Sequence, residues 1–192
     1  MNRVLLFVVA AVFAACVQAD TLSLTLIPTS GEVSGAPGAV VGWGFTLTDT
    51  VAGEWIVLDD SYVGGGLNTG VYGSYVDYVV SQFVVAGPSP ESSTVAEPWD
   101  QATTMGTGEF DLDAIVPLGT VITGTINVDY DLFSVDPNDP TFDPGADLIG
   151  SGTFTDSASI LVTPEPASWL LLLSAILVPF VPAARRRLAR RF

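Results

Sequence analysis

The feature that most constrains the fold of this chain is a regular alternation of apolar and polar side chains. Between residues 120 and 135, apolar side chains recur at almost every second position, with Thr, Asn or Asp between them. A period of two is typical of a β-strand that buries one of its faces. The apolar face comprises Ile122, Ile126, Val128, Tyr130 and Leu132, and the polar face comprises Thr123, Thr125, Asn127, Asp129 and Asp131.

The same alternation recurs along the middle of the chain, and no helical period interrupts it between residues 20 and 163. The other predicted strands are 21–27, 41–47, 55–58, 75–86, 110–112 and 153–163. About seven strands separated by turn signals predict an all-β fold, an antiparallel β-sandwich of immunoglobulin-like type. Residues 64–73 are rich in Gly and residues 87–106 in Pro, Ser and Thr, so both are predicted to be long loops.

A local pattern supports this prediction. Gly35-Ala36-Pro37-Gly38 is a turn signal that leads directly into the alternating run 41–47. This opening resembles those of many bacterial extracellular Ig-like modules, and the resemblance implies the same sandwich architecture.

Charge is distributed very unevenly along the 192 residues. All six basic residues lie near the ends of the chain, whereas every one of the 21 acidic residues except Glu165 lies between Asp20 and Thr163. That stretch contains no Lys, Arg or His. Without cationic side chains it has no means of displacing counterions from phosphates, so nucleic acid is excluded as a partner. The simplest interpretation of the acidic surface is that its side chains are solvated by water and keep the domain soluble.

Catalytic chemistry has few possible sources in this composition. The one cysteine, Cys16, lies near the start of the chain, and the protein has no histidine, so Ser-His-Asp and Cys-His devices and His or Cys zinc sites are excluded. Paired carboxylates, such as Asp59 with Asp60 or Asp111 with Asp113, leave a glycosidase as a remote alternative. The chain is therefore predicted not to be an enzyme.

The first residues have the properties of a signal peptide. Met1 to Ala19 has a basic residue, Arg3, near its start, continues with the 12-residue apolar run Val4 to Ala15, and ends with small side chains. We expect export through the Sec translocon and cleavage between Ala19 and Asp20. In an alternative interpretation, Cys16 is the lipidated residue of a lipoprotein signal.

The last residues form a motif in three parts. Pro164, Glu165 and Pro166 precede the apolar stretch 167–184, which as a helix would span about 27 Å and is long enough to cross a membrane. A cluster of arginines within 185–191 follows and is expected to stay in the cytoplasm, which leaves residues 20–163 outside. The arginines are Arg185, Arg186, Arg187, Arg190 and Arg191. A plain single-pass anchor is the simplest interpretation.

The order of these three parts resembles the PEP-CTERM sorting signal of Gram-negative bacteria. The resemblance covers residues 164–192 and implies recognition by a membrane-embedded exosortase and removal of the tail near Pro164-Glu165-Pro166. It implies an inner-membrane-anchored precursor that is later released to the cell surface or the extracellular matrix. Proteins with this signal are associated with exopolysaccharide and biofilm. Their central domains are diverse, so the resemblance indicates a route and no activity.

Acidic residues gather in the second half of the central stretch. Carboxylates from a strand and from the Pro-rich loop after it are candidate calcium ligands, because calcium takes six to eight oxygen atoms. The candidates are Asp129, Asp131, Asp136, Asp139, Asp143 and Asp147. Their spacing is not that of an EF-hand, and a solvated acidic loop is the alternative. No other cofactor is expected.

Aromatic residues in or near the two predicted loops are candidates for sugar binding. These are Tyr62, Tyr72, Tyr75, Tyr78 and Trp99. In the alternative interpretation, Tyr78 packs in the core and the others cover loop backbone, whereas Trp43 is predicted to belong to the core. The sequence thus favours a non-enzymatic surface or matrix protein, with a calcium- or glycan-binding adhesion module as the alternative.

Overall fold

The computed structural model describes residues 22–51, 53–82, 84–87 and 93–164, and the fold in these ranges is all-β. The strands are β1 Leu22–Ile27, β2 Glu32–Gly35, β3 Val40–Asp49, β4 Trp55–Gly65, β5 Gly73–Asp77, β6 Val85–Ala86, β7 Ser93–Glu97, β8 Gly108–Leu112, β9 Val121–Phe133 and β10 Leu148–Val162. Two short 3-10 helices, Gly66–Thr69 and Val79–Ser81, accompany them. The predicted all-β class is confirmed.

Several predicted segments lie outside the described residues. They are the signal peptide 1–19 with its cleavage site between Ala19 and Asp20, the motif residues Glu165 and Pro166, the apolar stretch 167–184 and the arginines within 185–191. In the part of the chain that the structure describes, no helix has the length and apolar character needed to span a membrane.

The strands form two five-stranded sheets that pack face to face as a β-sandwich. One sheet has the order β1-β3-β8-β5, with β7 also paired to β3, and the other has the order β2-β10-β9-β4-β6. Strand β3 is long enough for two partners, since β8 pairs with its Val40–Trp43 half and β7 with its Phe45–Asp49 half. The longest pairing joins β9 to β10 and forms the middle of the second sheet.

One strand pair corrects the prediction that the sandwich is antiparallel throughout. Strand β2 pairs in parallel with β10, from Glu32 opposite Ser159 to Gly35 opposite Val162. The chain leaves the first sheet after β1, turns at Pro28–Gly31, and joins the second sheet, so β2 runs in the same direction as β10. Gly31 has a φ of +65°, and a Cβ there would lie 2.0 Å from the carbonyl oxygen of Ser157. The crossover therefore requires glycine.

The core lies between the sheets and is built by the alternating residues that the sequence predicts. Trp43 and Phe45 on β3 are fully buried and belong to the same core cluster as Ile126 and Val128 of the opposite sheet. The Trp43 indole Nε1 donates a hydrogen bond of 2.8 Å to the carbonyl oxygen of Gly31, which ties the core to the crossover. The prediction that Trp43 belongs to the core is confirmed. Burial of these large side chains is the main source of stability in a chain without disulfides.

Three segments differ from the prediction. The run 75–86 is not one strand, because the Asp77 carboxylate accepts hydrogen bonds from the Val79 and Val80 backbone N–H groups and turns the chain. The predicted loop 87–106 contains β7, which pairs with the half of β3 that β8 leaves unpaired. In the predicted loop 64–73, β4 extends to Gly65 and a 3-10 helix follows.

Candidate functional site

A cleft of about 420 Å³ opens where the two sheets meet, between β4, β5 and the 3-10 helix 66–69. Each wall comes from a different element, so the cleft exists only in the folded chain. The lining side chains that matter for its chemistry are Ser61, Tyr62, Leu67, Asn68, Tyr75 and Asp77. The volume falls in the range of small-molecule binding sites.

The position of Ser61 in this cleft results from a β-bulge. Strand β4 pairs with β9 through Leu58 opposite Tyr130 and then through Asp60 opposite Asp129, so the register shifts between residues 58 and 60. A bulge inserts one residue and exchanges the faces of all that follow. Ile56 and Leu58 point inward before it, whereas Ser61 points inward after it and Tyr62 is 45% exposed.

The hydroxyl group of Ser61 is the centre of a hydrogen-bonded cluster on the cleft floor. Its Oγ atom lies 2.5 Å from Asp77 Oδ1, 2.6 Å from the Thr107 carbonyl oxygen and 2.9 Å from the Tyr75 hydroxyl. Ser61 is buried, and the cluster supplies a partner for its hydroxyl, as burial of a polar group requires. The cluster joins β4, β5 and the segment before β8, and therefore fixes the shape of the cleft.

Electrostatics at the cleft favour neutral hydroxyl groups over anions. Burial raises the pKa of Tyr75 to about 12, against the opposing effect of the hydrogen bond with Ser61, so Tyr75 is a neutral donor and acceptor at physiological pH. Asp77 accepts hydrogen bonds and adds negative charge. No cationic side chain exists between residues 22 and 164 to offset it.

The predicted aromatic residues separate into different environments. Tyr62 and Tyr75 both line the cleft, whereas Tyr72 packs partly buried against the core. Tyr78 is buried and donates a hydrogen bond to Glu109, as the core interpretation predicts. Trp99 lies against Gly42, where a Cβ would come within 2.2 Å of its Nε1. The structure therefore brings together two of the five residues proposed for sugar binding.

A second, smaller depression of about 260 Å³ lies over the bulge. Asp59, Asp129 and Asp131 line it, and Thr153 Oγ1 donates a hydrogen bond of 2.5 Å to Asp129 Oδ1. Desolvation, followed by repulsion from Asp59, raises the pKa of Asp131. Desolvation and then repulsion from Asp129, Asp77 and Asp59 raise the pKa of Asp60. The bulge thus gathers Asp59 and Asp60 with the two predicted calcium candidates of β9.

The other four calcium candidates lie in the loop between β9 and β10, where each carboxylate accepts a hydrogen bond from a backbone N–H group of the same loop. Asp136 accepts from the Asn138 N–H, Asp143 from the Gly145 N–H, and Asp147 from the Asp143 N–H. Asp139 accepts from both the hydroxyl and the backbone N–H of Thr141, and these bonds lower its pKa. These are local turns of the kind that Asp often forms.

No cluster of three or more acidic side chains able to hold a metal ion occurs within 22–51, 53–82, 84–87 and 93–164. The calcium site stays a prediction. The remaining predicted carboxylate pair, Asp111 and Asp113, is exposed at the end of β8 and is not among the residues that line the cleft or the depression over the bulge.

The residues on the cleft floor were not singled out by the sequence. Ser61, Asp77 and Thr107 are up to 46 positions apart, and each is an ordinary residue of an acidic, Thr-rich chain. The nearest signal is Asp77 two positions after Tyr75, which places both side chains on one face of a strand. Asn68 lies inside the Gly-rich segment that was predicted to be a loop.

Comparisons with known proteins leave this chain without an assigned family. No family model matches it, and no curated protein matches it. Among solved structures, it is similar to the sixth cohesin of scaffoldin B from Acetivibrio cellulolyticus, determined in complex with a Cel5 dockerin mutant. That match has 11% identity and a TM-score of 0.27, and it covers 73% of this chain and 98% of the cohesin chain. A TM-score this low supports no conclusion about binding or assembly.

Proposed function

We propose that this chain is an exported, non-enzymatic surface or extracellular-matrix protein that an exosortase sorts and that is linked to exopolysaccharide or biofilm. The observation that carries the proposal is the sequence order of Pro164-Glu165-Pro166, apolar stretch and arginine cluster. The fold is compatible with it. Strand β10 ends at Val162, the Thr163 N–H donates to the Gly35 carbonyl oxygen, and Pro164 is exposed. The motif thus begins one residue after the last hydrogen bond of the sandwich.

The rest of the proposal follows the route that the two ends imply. The signal peptide directs the chain through the Sec translocon, the apolar stretch holds the precursor in the inner membrane, and removal of the tail sends it to the cell surface or matrix. The sandwich is proposed to be of Ig-like type. The two five-stranded sheets and the crossover between β1 and β2 support that assignment.

Intact-mass measurement of the protein from a host that contains an exosortase tests this route. We expect a mature species that begins at Asp20 and lacks the helix from about Ala167 onward. Replacement of Pro164, Glu165 and Pro166 by Ala should leave the precursor uncleaved, whereas replacement of Pro137 and Pro140 by Ala is the matched control. Surface protein that still carries the arginine cluster would contradict the proposal, and a lipid on Cys16 would establish the lipoprotein alternative.

A glycosidase stays the remote alternative, and the acidic side chains gathered at the bulge are where it would act. Glycoside hydrolysis needs one carboxyl group with a raised pKa beside an ionised one. Asp60 and Asp131 have raised pKa values. We expect no release of reducing sugar from the host's exported polysaccharide, and turnover that disappears in the Asp131→Asn variant would contradict the non-enzymatic proposal.

A further inference from the structure

The cleft between β4, β5 and the 3-10 helix 66–69 combines apolar and hydroxyl-matching surfaces in one small volume. Leu67 and Val63 line it with apolar side chains, and Tyr75 adds an aromatic ring. Around them lie groups that both donate and accept hydrogen bonds, namely the hydroxyls of Tyr75 and Ser74 and the amide of Asn68. Specific small-molecule sites have this composition, with a mainly apolar lining and a few placed polar groups.

The charges at the cleft limit the chemical class of ligand that it could bind. An anionic ligand would enter beside Asp77 and find no Lys, Arg or His anywhere between residues 22 and 164. Buried or half-buried anions need such a partner. A neutral ligand with many hydroxyl groups has no such cost, because each hydroxyl can donate to Asp77 or the Asn68 carbonyl and accept from the Asn68 amide.

The carboxylate of Asp77 in the cleft is already held in place. Asp77 accepts from the Val79 and Val80 N–H groups while Ser61 and Tyr75 complete its surroundings. A carboxylate has about four acceptor positions, so Asp77 keeps capacity for a ligand. Side chains fixed on strands lose little freedom when a ligand binds, which favours affinity.

We propose that this cleft is a binding site for a neutral sugar residue. In it, the apolar side chains and the ring of Tyr75 contact the carbon-bound face of the sugar ring, and Asp77 and Asn68 bind the hydroxyls. The inference concerns the central domain alone and does not depend on the sorting route, so the mass measurement above and the binding experiment below can fail independently.

The test is a titration of the full-length protein, solubilised in a zwitterionic detergent without sugar groups, and followed by NMR with ¹⁵N-labelled protein. The probes are the methyl glycosides of glucose, galactose, mannose and N-acetylglucosamine, with glucuronate as the anionic comparison. We expect at least one neutral glycoside to shift the backbone resonances of residues 66–77 in a saturable manner. Glucuronate should bind at least tenfold more weakly.

Asn68 is an exposed cleft residue, and its replacement is not expected to affect folding. Asn68→Ala should weaken binding about tenfold, which corresponds to about 1.4 kcal/mol. Matched controls remove an exposed amide and an exposed apolar side chain elsewhere, as Asn138→Ala and Ile115→Ala, and should leave binding unchanged. No saturable shift with any neutral glycoside, or an Asn68→Ala variant that binds like the controls, would overturn the proposal.

Discussion

At the scale of single residues, the most exceptional group is the carboxylate of Asp49. It is 1% exposed, its Oδ1 atom accepts a hydrogen bond from the Val51 N–H, and its Oδ2 atom is buried without a partner among the described residues. No cationic side chain is available to compensate it. Burial therefore raises the pKa of Asp49 above its ordinary value of 3.8. Glu97 on the neighbouring β7 shares this state, with one buried unpaired oxygen and a pKa raised by burial.

A raised pKa in the folded state sets the direction of the pH dependence. The folded chain keeps a proton on Asp49 at pH values where the unfolded chain has released it, so folding is favoured by acid. The stability from this group is complete below about 3.8 and is lost as the pH rises through the folded pKa. We expect the melting temperature to rise when the pH is lowered from 7 toward 4.

Asp49→Asn tests this account. The variant keeps an acceptor for the Val51 N–H and removes the buried charge, so we expect it to stabilise the fold by about 1 kcal/mol at pH 7. The gain should shrink as the pH falls through the raised pKa of the wild-type carboxyl, which then takes up a proton. Denaturant unfolding at both pH values measures it. Asp113→Asn, which removes an exposed charge, is the control, and an equal effect of both variants would refute the role of burial.

At the scale of elements, the sequence predicts the strands whose apolar and polar side chains alternate. It misses the strands that form only because a partner strand, distant in the chain, is available for pairing. Leu24 and Leu26, and Phe110 and Leu112, are buried as their alternation predicts. On β9, Ile122, Ile126 and Val128 are buried, and Tyr130 and Leu132 are partly buried. Strand β2 has only four residues, and its pairing depends on the end of β10, more than 120 positions away. Strand β7 forms because one half of β3 is left unpaired by β8. Neither cause is visible in local sequence.

The bulge in β4 explains why the cleft could not be predicted. Continued alternation from Ile56 and Leu58 would place Asp60 and Tyr62 inside, but the inserted residue leaves both exposed and turns Ser61 inward. The free-energy cost of the bulge is offset because the bulge keeps the charge of Asp60 out of the core and allows the hydroxyls of Ser61 and Tyr75 to form a hydrogen bond. The bulge, which the sequence pattern does not reveal, thus decides which residues of β4 line the cleft.

The crossover between β1 and β2 provides a prediction at this scale. Gly31→Ala should lower stability by about 3 kcal/mol or more, because the new Cβ would meet the Ser157 carbonyl oxygen in addition to the strain of a positive φ. Gly70 has almost the same φ, +66°, but no atom lies within 4 Å of a Cβ placed there. Gly70→Ala should therefore cost only about 1 kcal/mol. Equal losses in urea unfolding would show that the close contact has no role.

At the scale of the whole molecule, charge repulsion has no internal compensation. Residues 22–164 contain many carboxylates and no cationic side chain, so no ion pair between side chains can form within this range. Each exposed pair repels weakly and is screened within about 10 Å at 0.1 M salt, yet the sum opposes the compact state. The fold tolerates this because its core is continuous from β1 to β10.

Added salt should therefore raise the melting temperature, and the kind of cation should matter little. The loop carboxylates of Asp136, Asp139, Asp143 and Asp147 accept hydrogen bonds within their own local turns, and among the described residues they form no group placed to hold a metal ion. We therefore expect calcium, magnesium and sodium chlorides to act alike at equal ionic strength. Melting curves in the three salts measure this. A gain specific to calcium would establish the predicted site, because a ligand that binds only the folded state stabilises it. Asp136→Asn with Asp139→Asn should then abolish the gain.

The parallel pair of β2 and β10 has a mechanical consequence. If the C-terminal end is held at a surface and the N-terminal side is pulled away, tension draws β2 and β10 in opposite directions along their lengths. All the bonds between them, from Ser159 with Gly31 to Thr163 with Gly35, are then loaded at the same moment and must break together. An antiparallel pair loaded at one end opens one bond after another. Because of the crossover at Gly31, this small acidic sandwich resists shear along the shared direction of β2 and β10 when it is loaded in this way.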